Sequence, residues 1–130
     1  MKVFKLEADI LDEKFEINSL FGMEAYLKVA DERKETLGDM FAKIGKSFDS
    51  NNNSGQGMDI LIFAKQITYQ GYLSYCTIKD IEPIYSEKKV SIIFDNAGDL
   101  EDTILRWGTV FMETLPSVKS GGNDNTKKKK

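Results

Sequence analysis

Asp49, Asn51 and Asn53 stand at alternate positions in the stretch DSNNNSGQGMDILIF (49–63). Oxygen side chains so spaced are how a calcium-binding loop begins, but an EF-hand loop also needs Gly at its sixth position and a bidentate Glu at its twelfth. Counted from Asp49, those positions hold Ser54 and Ile60. Two of the three leading oxygens are neutral amides and no acid closes the site, so no metal is expected here. Gly55-Gln-Gly57 opens a G-x-G-x-x-G phosphate-binding fingerprint, yet Ile60 replaces the third Gly and no strand is predicted before it. The Ser/Asn/Gly composition between two periodic segments instead predicts a polar joint at 49–57.

Other reactive residue types lead no further. The chain has no histidine, which removes Ser-His and Cys-His nucleophile pairs, histidine metal ligands and the usual neutral-pH proton shuttle. Cys76 is the single cysteine, so neither an internal disulfide nor a C-x-x-C site can form. Ser86 and Lys89 fit S-x-x-K, and Lys119-Ser120-Gly121 resembles the K-T-G element of penicillin-recognising enzymes. The chain is too short for that fold and lacks S-D-N, so the match is read as chance. With 21 carboxylates in 130 residues, random acidic pairs are inevitable and name no acid–base couple. The expectation is a protein that is not an enzyme and uses no cofactor.

The elements follow from periodicity. Phe4, Leu6 and Ala8 alternate with polar residues, Phe15 and Ile17 match them, and Asp9 to Glu13 supplies a reversal, predicting an N-terminal β-hairpin over 3–17. Asn18 or Ser19 is expected to cap a first helix, with Met23, Tyr26, Leu27 and Ala30 on its inner stripe. A second helix carries Leu37, Met40, Phe41, Ile44 and Phe48. Beyond the joint, Ile60, Phe63, Ala64 and Ile67 mark a third. Its flanks, including Leu61, Ile62, Tyr69, Tyr72 and Leu73, leave little polar face, which predicts the central helix of the fold, with a partner-binding face as the alternative. Thr77-x-x-Asp80 has the form of a capping box and predicts a short helix through Ile78, Ile81 and Tyr85, with Pro83 early in it. Val90 to Phe94 (VSIIF) fits either strand or helix. Asp99 caps a last helix with the stripe Leu100, Ile104, Trp107, Phe111 and Leu115, stopped by Pro116. The fold class is therefore mainly α, a small bundle of about five helices behind a hairpin.

Composition sets the remaining bounds. With 41% hydrophobic and 30% charged residues, the expectation is a soluble globule, one domain over 1–116. No apolar run approaches the ~20 residues of a membrane span, so no membrane partner is expected. Acids stand where a secretory signal would have its apolar core, which points to the cytoplasm. From Ser117 the sequence SVKSGGNDNTKKKK is small, polar and finally basic, and a disordered tail is expected over 117–130. That tail carries a charge of +4 and residues 1–116 carry −7. An acidic body argues against nucleic acid, where basic stripes supply most of the affinity.

The texts FEINSLFGMEAYLKVADERKETLGDMFAKIG, MDILIFAKQITYQGYLSYCTIKDIEPIY and DLEDTILRWGTVFMETL together resemble the tail assembly chaperones of long-tailed bacteriophages. In that family a strand pair leads into a helix rich in Leu, Ala and Glu, then a second helix, a variable gap, an apolar helix and a "t.edv"-like segment. The likeness spans residues 13 to 115 and lies in helix order and apolar spacing. KKVSIIF is more β-rich than the family pattern, and the gap is long and rich in Asn. The resemblance implies a protein of the host-cell cytoplasm that binds the apolar, helix-forming tape-measure protein until tail-tube subunits replace it. Self-association along the client is also implied. The family's short form is often extended by frameshifting, and Lys127 to Lys130 require an A-rich message. Phe63, Ile67, Tyr69, Tyr72, Tyr75 and Trp107 are the candidate partner-binding residues, aromatic and apolar groups of the kind enriched in interface cores. The alternative reading is a small acidic adaptor that binds one folded partner.

Overall fold

The computed structural model describes residues 2–49 and 54–115. Two strands, β1 (Lys2–Ile10) and β2 (Glu13–Phe21), precede five helices among the described residues: α1 (Met23–Arg33), α2 (Leu37–Asp49), α3 (Ser54–Lys79), α4 (Glu87–Asp95) and α5 (Leu100–Glu113). The mainly α class expected from periodicity is the class observed. No helix among the described residues is long and apolar enough to cross a membrane. The residues from Pro116 onward, including the expected tail at 117–130, lie outside the described residues.

β1 and β2 pair antiparallel, Ile10 opposite Glu13 and Lys2 opposite Phe21. Their turn is only Leu11-Asp12, both at positive φ (53° and 65°). This hand of two-residue turn matches the right-handed twist of the strands it joins. One face buries Phe4, Leu6, Ala8, Ile17, Ser19 and Phe21. The opposite face carries Lys5, Glu7 and Glu16, with Lys5 within 3.6 Å of both carboxylates.

The second strand runs further than its sequence suggested. Asn18 and Ser19, expected as helix caps, are strand residues. Alternation continues inward through Ile17, Ser19 and Phe21, and the buried Ser19 hydroxyl donates to the Thr68 carbonyl at 2.8 Å. The cap of α1 is Gly22, whose extended backbone has no side chain to contribute, and its carbonyl accepts from the Tyr26 amide at 3.2 Å. The inner face of α1 is also rotated from the expected stripe: Ala25, Tyr26, Val29 and Ala30 are buried, whereas Met23 and Leu27 are exposed.

Lys34, at φ 59°, ends α1 in a left-handed cap, with the Glu35 amide donating to the Ala30 carbonyl. Thr36 then starts α2 by accepting from the Asp39 amide at 3.0 Å. Met40 and Ile44 are buried, with Leu37 and Phe41 packed beside them. The polar joint expected at 49–57 is shorter than predicted, because α2 extends through Asp49 and α3 begins at Ser54. Residues 50–53, and with them the candidate oxygens of Asn51 and Asn53, lie outside the described residues, as do the side chains of Phe48 and Asp49.

α3 is the centre of the fold, 26 residues long, about 39 Å at 1.5 Å per residue. It packs against β2 and every other helix. Ile60, Phe63, Ala64, Ile67, Thr68, Gly71, Tyr72 and Cys76 are all buried. An apolar surface on more than one side is what a surrounded helix requires.

The capping-box helix expected from Thr77 does not form. Thr77 is still within α3 and its hydroxyl donates back to the Leu73 carbonyl at 3.0 Å. Asp80 (φ 58°) ends the helix, with the Ile81 amide reaching the Cys76 carbonyl. Ile81–Ser86 is irregular, consistent with Pro83 disfavouring helical backbone at the residue before it. The same T-x-x-D letters that can open a helix here close one.

VSIIF is helical. Ser86 caps α4 by accepting from the Lys89 amide at 3.1 Å, and Val90, Ile93 and Phe94 face inward at helical spacing. The S-x-x-K pair is thus a helix start. Asp99 caps α5 as expected, accepting from the Asp102 amide at 3.2 Å. Trp107 and Phe111 stack with centroids 5.1 Å apart, while Phe21, Tyr26 and Phe41 meet this pair edge-on. Across the same cluster the Tyr26 hydroxyl hydrogen-bonds Thr114, closing α5 onto α1.

Candidate functional site

Four of the six residues expected at a partner surface are packed inside the chain. Trp107 and Ile67 have no exposed surface, Phe63 is 2% exposed and Tyr72 is 6% exposed. Each has a role within the fold. Trp107 is in the aromatic cluster, and Phe63 is covered by the Arg33 guanidinium, 3.9 Å from its ring centre. Arg33 also donates to Gln66 at 3.1 Å and pairs with Glu35 at 3.3 Å. Lys43 reaches the same carboxylate at 2.5 Å. The Lys43 bond, followed by Arg33, holds the Glu35 carboxyl below its ordinary value against the opposing effect of burial. These contacts fasten α1, α2 and α3 together, and the apolar stripe that looked available for a partner is used in doing so.

Tyr72 fixes the irregular segment. Its hydroxyl oxygen accepts from the backbone amides of Ile84 at 2.8 Å and Tyr85 at 3.1 Å. Its ring stacks on Tyr85 at 5.7 Å, and Tyr85 meets Phe15 of the hairpin edge-on. Burial pushes the Tyr72 phenol up despite the two amides. Cys76, one turn along, is buried and its thiol is likewise pushed up by burial, the reverse of what activates a cysteine nucleophile. Among the described residues no group of three or more His, Cys, Asp or Glu side chains could hold a metal ion.

Tyr69 and Tyr75 are only partly covered, and they differ in setting. Tyr75 lies beneath the Lys79 ammonium at 5.8 Å. Tyr69 lines an open groove of about 540 Å³ between α1 and α3. Leu20 at the end of β2 contributes to this groove, Tyr69, Leu73 and Ile78 come from α3, and Glu24 and Lys28 from α1. At its end, Gln70 donates to Glu32 at 3.1 Å, tying the two helices. Leu73 is half-buried and Ile78 is 69% exposed, so the groove offers apolar surface beside a charged wall. A trough between two packed helices is the shape into which a third helix packs.

Leu20, Leu73, Ile78 and the α1 wall were not legible as a site from sequence. Leu20 falls where the sequence predicts a helix start at Asn18 or Ser19, but it is a strand residue. Leu73 carried a usable signal as an apolar residue off the Ile60–Ile67 stripe, whereas Ile78, 18 residues after Ile60, continues the line of that stripe at 3.6 residues per turn. A second crevice of about 310 Å³, between the hairpin and α4, is lined by Ile10, Phe15, Ile92 and Ile93 with Lys88 and Lys89. It is smaller, and Lys89 already lies over the Phe15 and Tyr85 rings. No protein-family model, curated protein or solved structure matches the chain.

Proposed function

We propose that this chain is a phage tail assembly chaperone, one that binds the tape-measure protein and keeps it soluble until tail-tube subunits take its place. The observation that carries the proposal is the α1–α3 groove, where Tyr69, Leu73 and the exposed Ile78 face a charged helix wall. A long helix-forming client has an apolar stripe that must be covered before assembly. A trough between two helices covers such a stripe by ordinary ridge-and-groove packing, and tyrosine adds a ring that tolerates one wet edge. The order of hairpin, paired helices, long apolar helix and terminal amphipathic helix supports the same reading through its likeness to that chaperone family. Of the six residues expected at a partner surface, Tyr69 lines the groove, where Leu20, Leu73 and Ile78 join it, and Tyr75 is partly covered outside it.

Binding requires no reaction at the groove, so this is a protein that acts by covering surface. Contacts with tail-tube subunits and with further copies of itself belong to the same proposal. The test is co-expression with a tape-measure protein, measuring how much client stays soluble and whether the two co-purify. The expected result is soluble client only in the presence of this chain, with the yield falling for Leu73→Asp and Ile78→Asp. Equal solubility without the chain, or failure to co-purify, overturns the proposal and favours an adaptor for a folded partner.

A further inference from the structure

The wall of the groove carries a charge sequence that can select its occupant. Glu24, Lys28 and Glu32 line it, each exposed and four residues apart, so they form a column of alternating sign, one charge per turn of α1. The side chains of Glu24 and Lys28 enter no ion pair or hydrogen bond among the described residues. Their charges are therefore uncommitted. Opposite them stand Tyr69, Leu73 and Ile78 of α3, with Gln70, Ser74 and Thr77 among them.

Resting on the groove reading above, we infer that the occupant is an amphipathic helix with a Lys–Glu–Lys column at four-residue steps beside its apolar stripe. Four-residue steps on two helices packed side by side have the same rise, about 6 Å, so three charges on one can meet three on the other. The wall's order, negative, positive, negative, reads the same from either end. The occupant can thus lie in either direction along α1, and what the wall selects is register. A shift of one turn sets like charges against each other, which is unfavourable in the way like-charge pairs on one helix face are. A purely apolar groove would leave such a sliding helix unregistered. A long client with many similar apolar turns is the kind of ligand for which register has to be supplied by charge.

The experiment uses two synthetic amphipathic helices about six turns long, identical in apolar stripe and composition. One carries Lys, Glu and Lys in the flanking column, the other Glu, Lys and Glu. Affinity for the full chain is measured by fluorescence anisotropy at low and high salt. The Lys–Glu–Lys helix is expected to bind roughly tenfold more tightly at low salt, with the difference shrinking as salt rises, as exposed ion pairs require. The triple variant Glu24→Lys, Lys28→Glu, Glu32→Lys should invert the preference. Lys28→Glu alone, at an exposed position with no partner to lose, should reduce it if the triple variant unfolds. Equal affinity for the two helices, or a preference unchanged in both variants, overturns the inference. If tape-measure protein still co-purifies in that case, the groove reading stands and only its charge code falls. If neither helix nor client binds, both are overturned.

Discussion

Gly71 of α3 lies directly against Ser19 of β2. A β-carbon at position 71 would come 2.2 Å from the Ser19 Oγ and 2.9 Å from the Leu20 carbonyl oxygen. The hydroxyl cannot simply turn aside, because it donates to the Thr68 carbonyl one helical turn earlier, and the carbonyl oxygen is backbone. The central helix crosses the hairpin at this point only because residue 71 has no side chain. Gly71→Ala is therefore expected to destabilise the fold by about 1–3 kcal/mol, the usual range for overpacking a filled core. Gly45→Ala is the control: a β-carbon there meets nothing within 4 Å, and the helical alanine should stabilise by about 0.5–1 kcal/mol. Thermal melting of the two variants should move in opposite directions.

The hairpin turn leaves room for improvement. Leu11 and Asp12 both adopt positive φ, and Leu11 is 95% exposed, so an L side chain bears a backbone penalty without contributing burial. Replacing the pair by Asn-Gly, the preferred residues for this turn, should raise stability by about 1 kcal/mol with the strand register retained. Denaturant midpoints measure it, and a lower midpoint for the Asn-Gly variant would show that the turn is not under this constraint.

Tyr26 gives the fold an alkaline limit. Burial, only partly opposed by the Thr114 hydrogen bond, raises its phenol from 10.0 to about 12. Below pH 10 both folded and unfolded chains keep the proton, and the stabilisation is fully present. Between pH 10 and about 12 the unfolded chain releases it while the folded chain holds it, so stability falls as pH rises. Tyr26→Phe should melt lower at neutral pH through loss of the Thr114 bond, yet decline less steeply over that alkaline window. Melting curves of both proteins across pH 8 to 12 give the comparison, and parallel declines would contradict the assignment.

Much of the architecture was legible because period and capping chemistry agree along most of the chain. Trp107, Phe111 and Leu115 fall on one stripe behind an Asp99 cap, and they are buried as that pattern requires. The misreadings share a cause: a short polar residue has two uses. Ser19 and Thr77 offer the same hydroxyl whether they start a helix, end one, or face a close backbone crossing. Which use applies depends on α3, 49 residues from Ser19 at their contact, and local spacing carries no trace of that distance. VSIIF met the same limit, since five residues, four of them apolar, become helix or strand according to the cap before them, here Ser86. The candidate site was less legible still. Interface-type residues such as Phe63 and Trp107 are equally core-type residues, and only the Arg33 guanidinium and the aromatic cluster reveal which use the chain makes of them.

Tyr69 and Tyr72 are neighbours on α3, with ring centroids 6.5 Å apart, yet they should respond oppositely to substitution. The Tyr72 hydroxyl accepts from the Ile84 and Tyr85 amides, and Ile84 beyond it is 76% exposed, so little apolar packing holds that side chain down. Tyr72→Phe removes the acceptor while keeping the ring, leaving two partly buried amides without it. A cost of about 1–2 kcal/mol is expected, together with faster amide hydrogen exchange at Ile84 and Tyr85 than at α4. Tyr69 accepts no comparable backbone load, and its ring lines the groove beside Leu73. Tyr69→Ser should therefore leave the melting temperature within a few degrees while reducing the amount of client that co-purifies. Melting, hydrogen exchange and co-purification on the two single variants separate the roles. If Tyr69→Ser unfolds the chain, the ring is a structural support of α3; if the variant folds and retains client fully, the groove is not where the client lies.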